Sequence, residues 1–169
     1  MVGTWDNKDL VYSFATLNLG TGQWTTRLRE SPAAAKRRTG YSQTARLQHA
    51  FAAHLRDIAR AYPATLGKPV VITIDHAPWP QGAGIAAVLT THPHLRLYRL
   101  PSYSPPLNLI ERFWRGLRRR ATHKRLFMTK AELRTALRAS FWYFHTLRHK
   151  VLSVLYSPRK KKAAKLTAA

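Results

Sequence analysis

Seven acidic side chains stand against 29 Lys and Arg in this 169-residue chain, so the place of each acid carries information. Two of them stand where chemistry is usually done. Asp75 closes Pro69-Val70-Val71-Ile72-Thr73-Ile74, a short apolar run bounded by breakers that reads as a buried strand. In open α/β sheets, functional residues gather just beyond the carboxyl ends of strands. Glu111 begins a helix that follows a proline-rich loop. A carboxylate in a first helical turn is favoured by the helix dipole and is held rigidly, as a metal ligand must be. Hard divalent cations such as Mg²⁺ take one or two protein carboxylates and leave positions for phosphate and water. Two such ions can clamp the attacking and leaving oxygens of a phosphodiester. From the residues alone two readings stand. Asp75 and Glu111 form part of a two-metal nuclease site, or Asp75 caps the following segment and Glu111 pairs with Arg115 one turn on.

The elements that must position these acids follow from the pattern of the chain. Leu10 to Leu19 and Gln23 to Leu28 are strand-like runs around Gly20-Thr21-Gly22, which predicts a β-hairpin. Glu30 to Tyr41 is loop-like. Ser42 is suited to cap a helix running to about Tyr62, with Leu47, Phe51, Leu55, Ile58 and Ala59 at helical spacing and Pro63 and Gly67 ending it. After the strand before Asp75, Gly82 to Thr91 reads as a short helix and Leu95 to Leu100 as a strand. Asn108 is placed to cap a helix over Leu109 to Ala121. Thr129 or a neighbour caps a last long helix towards Leu155, with Glu132 at the capping-box offset from Thr129. Ser157 onward is a basic tail expected to be disordered. Hairpin, helix and then alternating strands and helices imply a mixed α/β sheet.

The net charge of +22 self-repels unless a polyanion neutralises it. Nucleic acid is the expected partner, because each neutralised phosphate releases condensed counterions. The chain has no cysteine, which excludes disulfides and thiolate metal sites and fits a reducing cytoplasm. No signal-peptide pattern and no run of transmembrane length is present, so the expectation is a cytoplasmic protein acting on DNA with no membrane partner. Five Trp, seven Tyr and six Phe argue for a packed core.

Leu100-Pro101-Ser102-Tyr103-Ser104-Pro105-Pro106-Leu107-Asn108-Leu109-Ile110-Glu111-Arg112-Phe113-Trp114 resembles the LPxYSPxLNxIExxW signature of DDE transposases of the IS630 and Tc1/mariner group. Ile72-Thr73-Ile74-Asp75-His76-Ala77-Pro78-Trp79 resembles the same group's strand ending in Asp-Asn-Ala. The resemblance runs from about Trp5 to about Leu155. It implies an RNase H-like fold, α/β with a mixed sheet flanked by helices, and a partial catalytic domain over residues 1–156 with the tail at 157–169. Glu111 inherits the last acid of the triad and Asp75 the second. The two acids stand 36 positions apart (75 and 111), matching the group's compact spacing. The implied cofactor is Mg²⁺ or Mn²⁺. The implied activity is metal-dependent cleavage and transfer of DNA strands in transposition. The implied partners are double-stranded DNA at transposon ends and target, with a homo-oligomer or an upstream transposase fragment.

Three departures from that group's pattern matter. His76 stands where Asn is usual, and Pro80 where a His is usual. The group carries its first Asp on the first of three antiparallel strands before the helix, and only two strands are expected here. Asp6 and Asp9 precede the first of these two. Neither a strand bearing a first Asp nor the group's N-terminal helix-turn-helix is found in the sequence. A non-catalytic DNA-binding remnant or regulator is therefore the alternative reading, and a structural RNA-binding protein a third.

Arg112, Arg115, Arg118, Arg119 and Arg120, with Lys124 and Arg125 beyond, are candidates for phosphate contacts flanking a cut. The competing reading is a solvated helix face. Phe113, Trp114 and Leu117 are expected to anchor that helix in the core. Phe141, Trp142, Tyr143 and Phe144 are consecutive and so cannot share one face, which leaves some exposed. The eight His show no compact ligand spacing, and His92 and His94 read as incidental.

Overall fold

The computed structural model describes residues 11–30, 42–75, 81–101 and 108–156. Strands β1 (Val11–Leu17) and β2 (Trp24–Glu30) form the expected antiparallel hairpin, in register from Val11↔Glu30 to Leu17↔Trp24. Its turn is built on Asn18, whose Oδ1 accepts from the backbone N–H of Gly20 and Thr21, each at 3.0 Å. Gly22 completes it at φ 70°, a left-handed conformation that favours glycine.

Helix α1 (Gln43–Ala61) starts at Ser42, whose Oγ accepts from Ala45 N–H at 3.1 Å. Its stripe of Phe51, Leu55, Ile58 and Ala59 is buried as the spacing requires. One 3-10 turn (Ala64–Leu66) and Gly67 at φ 66° lead to β3 (Val70–Ile74). Helix α2 (Ala83–Thr91) then crosses to β4 (Leu95–Arg99), which pairs parallel with β3.

The expectation of one mixed sheet is corrected here. Among the described residues there are two two-stranded sheets, β1-β2 and β3-β4. The expectation of a fully buried strand before Asp75 is also corrected. Of β3 only Ile72 is buried, while Val71 is 58 % exposed. The strand alternates, with its even-numbered residues turned to α1 and α2 and the other face left open.

Helix α3 (Ile110–Ala121) begins one residue later than expected. Leu109 occupies its cap position, and Asn108 accepts Glu111 N–H through its backbone carbonyl rather than capping with its side chain. The last segment is two helices, not one: α4 (Lys130–Thr146) and α5 (Arg148–Tyr156), broken at Leu147. Thr146 Oγ1 donates to the carbonyls of Trp142 and Tyr143, local bonding that competes with helix continuation. The break turns Val151 and Leu155 back onto Phe113 and Leu117. At the other end of α4 the predicted cap forms: Thr129 Oγ1 accepts from Glu132 N–H, and Glu132 Oε2 accepts from Met128 N–H.

The hairpin lies between two cores. Phe14 packs with Phe51, Leu55, Ile58, Ile72 and Leu95 on the α1 side. Leu17, Trp24 and Leu28 pack with Phe113, Phe141 and Val151 on the α3–α5 side. Each fully buried side chain of this size stabilises the fold by roughly 1.5–3 kcal/mol. Arg27, opposite Phe14 in the register, reaches α1 and donates from Nε and Nη2 to Asp57 Oδ2 at 2.9 and 2.6 Å. Arg60 Nη1 reaches the other oxygen of Asp57 at 2.9 Å. Being partly solvated, these pairs contribute about 1 kcal/mol or less each.

Candidate active site and its acids

Asp75 follows the last residue of β3, and the parallel pairing continues beside it where Leu100 N–H donates to Ile74 O at 2.8 Å. The carboxyl ends of β3 and β4 therefore lie at one edge of their sheet. A cleft of about 1030 Å³ opens at this edge. Asp75 lines it, and so do Asn108, Leu109, Ile110 and Trp114 from the start of α3. Glu111 is the next residue in that first turn, with its side chain exposed. Asp75 therefore faces the cleft together with residues on either side of Glu111, while Glu111 itself is not among the lining residues.

The apolar stripe of α3 fixes the presentation of Glu111. Phe113 and Leu117 are 1 % and 2 % exposed and Trp114 is half-buried against the same cluster, as expected of them. The opposite face then carries Glu111, Arg115 and Arg118 outward. No ion pair joins Glu111 to Arg115; the ion pairs among the described residues gather on Asp57.

The floor of the cleft is α1, including His54, which sequence reasoning passed over. His54 is 1 % exposed, and its Nε2 lies 2.9 Å from Thr16 Oγ1. Burial is the main cause that lowers its pKa from 6.5 to about 4; Asp57 opposes the shift and Arg27 adds to it. The ring is neutral at pH 7. The signal was present in the sequence, because position 54 falls on the apolar stripe between Phe51 and Ile58.

The walls of the cleft are two strand edges. Residues 12–20 and 70–75 line it in unbroken succession. Successive side chains of a strand point to opposite faces, so an unbroken run means that the edge itself faces the cleft. Among the described residues β1 pairs with β2 and β3 with β4.

The donor set suits a hard cation, with carboxylate oxygens and no thiolate. Among the described residues no group of three or more His, Cys, Asp or Glu could hold a metal ion. His92 and His94 are not among the lining residues of the cleft; His94 Nε2 lies 3.0 Å from Tyr62 O. The sequence positions Asp6, Asp9, His76, Pro80 and 157–169 lie outside the described residues.

A family model for the DDE superfamily endonuclease matches residues 33–134. The chain belongs to the DDE superfamily endonuclease family. The match holds both acids, α1, β3, α2, β4 and α3, and it ends in the first turn of α4. No curated protein and no solved structure gave a match. Membership agrees with the mixed α/β architecture of small sheets flanked by helices, and it implies a DNA substrate. Endonucleases of this superfamily are generally dependent on divalent metal. No helix among the described residues is long and apolar enough to cross a membrane.

The basic residues of this endonuclease domain divide by position. Arg115, Arg118, Arg119, Arg120, Lys124 and Arg125 are exposed. Arg112 is set apart: it is half-buried and its Nη1 donates to Leu155 O at 2.6 Å, tying α3 to the end of α5.

Proposed function

We propose that this chain is the C-terminal part of the catalytic domain of a transposase of the IS630 and Tc1/mariner group, RNase H-like in fold and spanning residues 1–156. Its activity is metal-dependent cleavage and transfer of DNA strands. The observation that carries the reading is the opening of Asp75 and the first turn of α3 onto one cleft, within the segment matched to the endonuclease family. Asp75 and Glu111 hold Mg²⁺ or Mn²⁺, which when bound supplies Lewis-acid polarisation of the phosphodiester and an acidified water. Arg115 and Arg118 share the outward face of Glu111 and steady the phosphates beside the cut.

The test is nicking of element-end duplex in Mn²⁺. Asp75→Ala and Glu111→Ala are each expected to abolish nicking while duplex binding persists. Nicking that survives Asp75→Ala would sink the role assigned to it. One observation favours a second reading, a DNA-binding remnant or regulator: no group of three or more possible metal ligands occurs among the described residues. Tight, salt-sensitive binding with no cleavage in Mn²⁺ decides for that reading.

A further inference from the structure

A second cleft, of about 780 Å³, lies between α3, α4 and α5. Four cations line it: Arg119, Arg120 and Arg125 from α3 and the turn after it, and Lys150 from α5. No carboxylate is among its described lining residues. Tyr143 organises the group. The guanidinium carbon of Arg120 sits 3.5 Å from the centre of the Tyr143 ring, and Lys150 Nζ donates to Tyr143 Oη at 2.9 Å. That hydrogen bond is the main cause holding the phenol below its usual pKa. A stacked guanidinium keeps its N–H edge free and oriented, the arrangement that meets a phosphate with two parallel hydrogen bonds. The small lining residues Gly116, Ala136 and Ala139 leave room for the anion between the cations.

We propose that this cleft is a seat for the phosphodiester backbone of duplex DNA, separate from the acids. Helix geometry makes it separate. At about 100° per residue, Arg115 and Arg118 lie within about 40° of Glu111, whereas Gly116, Arg119 and Arg120 lie roughly 80–180° round the helix. The seat therefore holds a stretch of backbone other than the one presented to Glu111. Of its lining residues, Tyr143 and Lys150 lie beyond residue 134, where the family match ends. The assignment rests on the reading of the chain as a DNA-acting endonuclease, but it is tested through binding rather than cleavage.

The experiment is a salt titration of duplex binding by the full chain, with Lys150→Gln, Arg119→Gln and, as a control away from both clefts, Arg96→Gln. All three side chains are exposed, and unchanged circular dichroism verifies folding. Lys150→Gln and Arg119→Gln are each expected to lower the slope of log K against log salt by about 1, on duplexes of any sequence. Arg96→Gln should leave the slope close to that of the parent. Tyr143→Phe keeps the stacked ring and loses only the hydroxyl, so it should weaken binding less than Lys150→Gln. Equal slopes for the parent and Lys150→Gln overturn the seat, as does an equal loss in Arg96→Gln, which would mean diffuse attraction. Tighter binding to an RNA duplex of the same sequence also overturns it. Loss of cleavage in Mn²⁺ with these slopes intact would instead count against the catalytic reading alone.

Discussion

His54 sits on the floor of the acid-bearing cleft as a neutral, buried ring, and its protonation is a cost that only the folded state meets. With its pKa lowered to about 4 from 6.5, the unfolded chain binds the proton first as pH falls. Stability from this group is therefore fully present above about pH 6.5 and is lost between there and about pH 4, a difference of about 3 kcal/mol. His54→Gln retains a partner for Thr16 and cannot titrate. Urea unfolding at pH 7 and pH 4.5 should show the parent losing markedly more stability than the variant; equal losses would refute the assignment. Asp75 and Glu111 are singled out at this scale by the scarcity of acids and by two long motifs, and the structure sets Asp75 in the cleft. His54 was passed over although its place on the apolar stripe marked it for burial; its lowered pKa depends on what packs against α1. Lys150 and Tyr143 were not legible at all: their meeting depends on the break at Leu147, which no residue type announces.

Among the elements, the hairpin turn is pinned against the start of α5. Gly22 has φ 70°, and a Cβ placed there would stand 2.9 Å from Arg148 O and 3.1 Å from Leu152 Cγ. Gly67 has nearly the same φ, 66°, with nothing within 4 Å of a Cβ. The pair separates backbone strain from crowding. Gly67→Ala should cost about 1–2 kcal/mol for the left-handed conformation alone. Gly22→Ala should cost that plus roughly 1–3 kcal/mol of overpacking, because the nearest atom is backbone and cannot swing away. Thermal unfolding of the two variants checks this, and equal shifts in Tm would show that the hairpin is not clamped by α5. Element ends were readable where a side chain makes the cap, as at Ser42 and Thr129. They were misread where the backbone does so, as at Asn108. The burial of β3 was misjudged because an apolar run does not say whether one face or both are covered, and only Ile72 is buried here.

For the whole molecule, the large cleft raises the question of what it takes. Residues of β1 and β3 line it, with α1 on its floor and the start of α3 beside it. Leu19, Leu66 and Val71 are exposed among its lining residues, so a further segment seated there would bury apolar surface. The prediction concerns the polypeptide encoded immediately upstream of Met1, translated in all frames and joined to this chain. If one frame carries a strand with an Asp, the joined product should unfold at a higher Tm than this chain and should nick element-end DNA in Mn²⁺. Replacing that Asp by Ala should remove nicking and keep the gain in Tm, because the gain comes from apolar burial and the chemistry from the carboxylate. An unchanged Tm would mean that the cleft does not take the segment. A gain in Tm without nicking would mean that the segment fills the cleft but does not complete the acids, and the DNA-binding role would then be what the +22 charge serves.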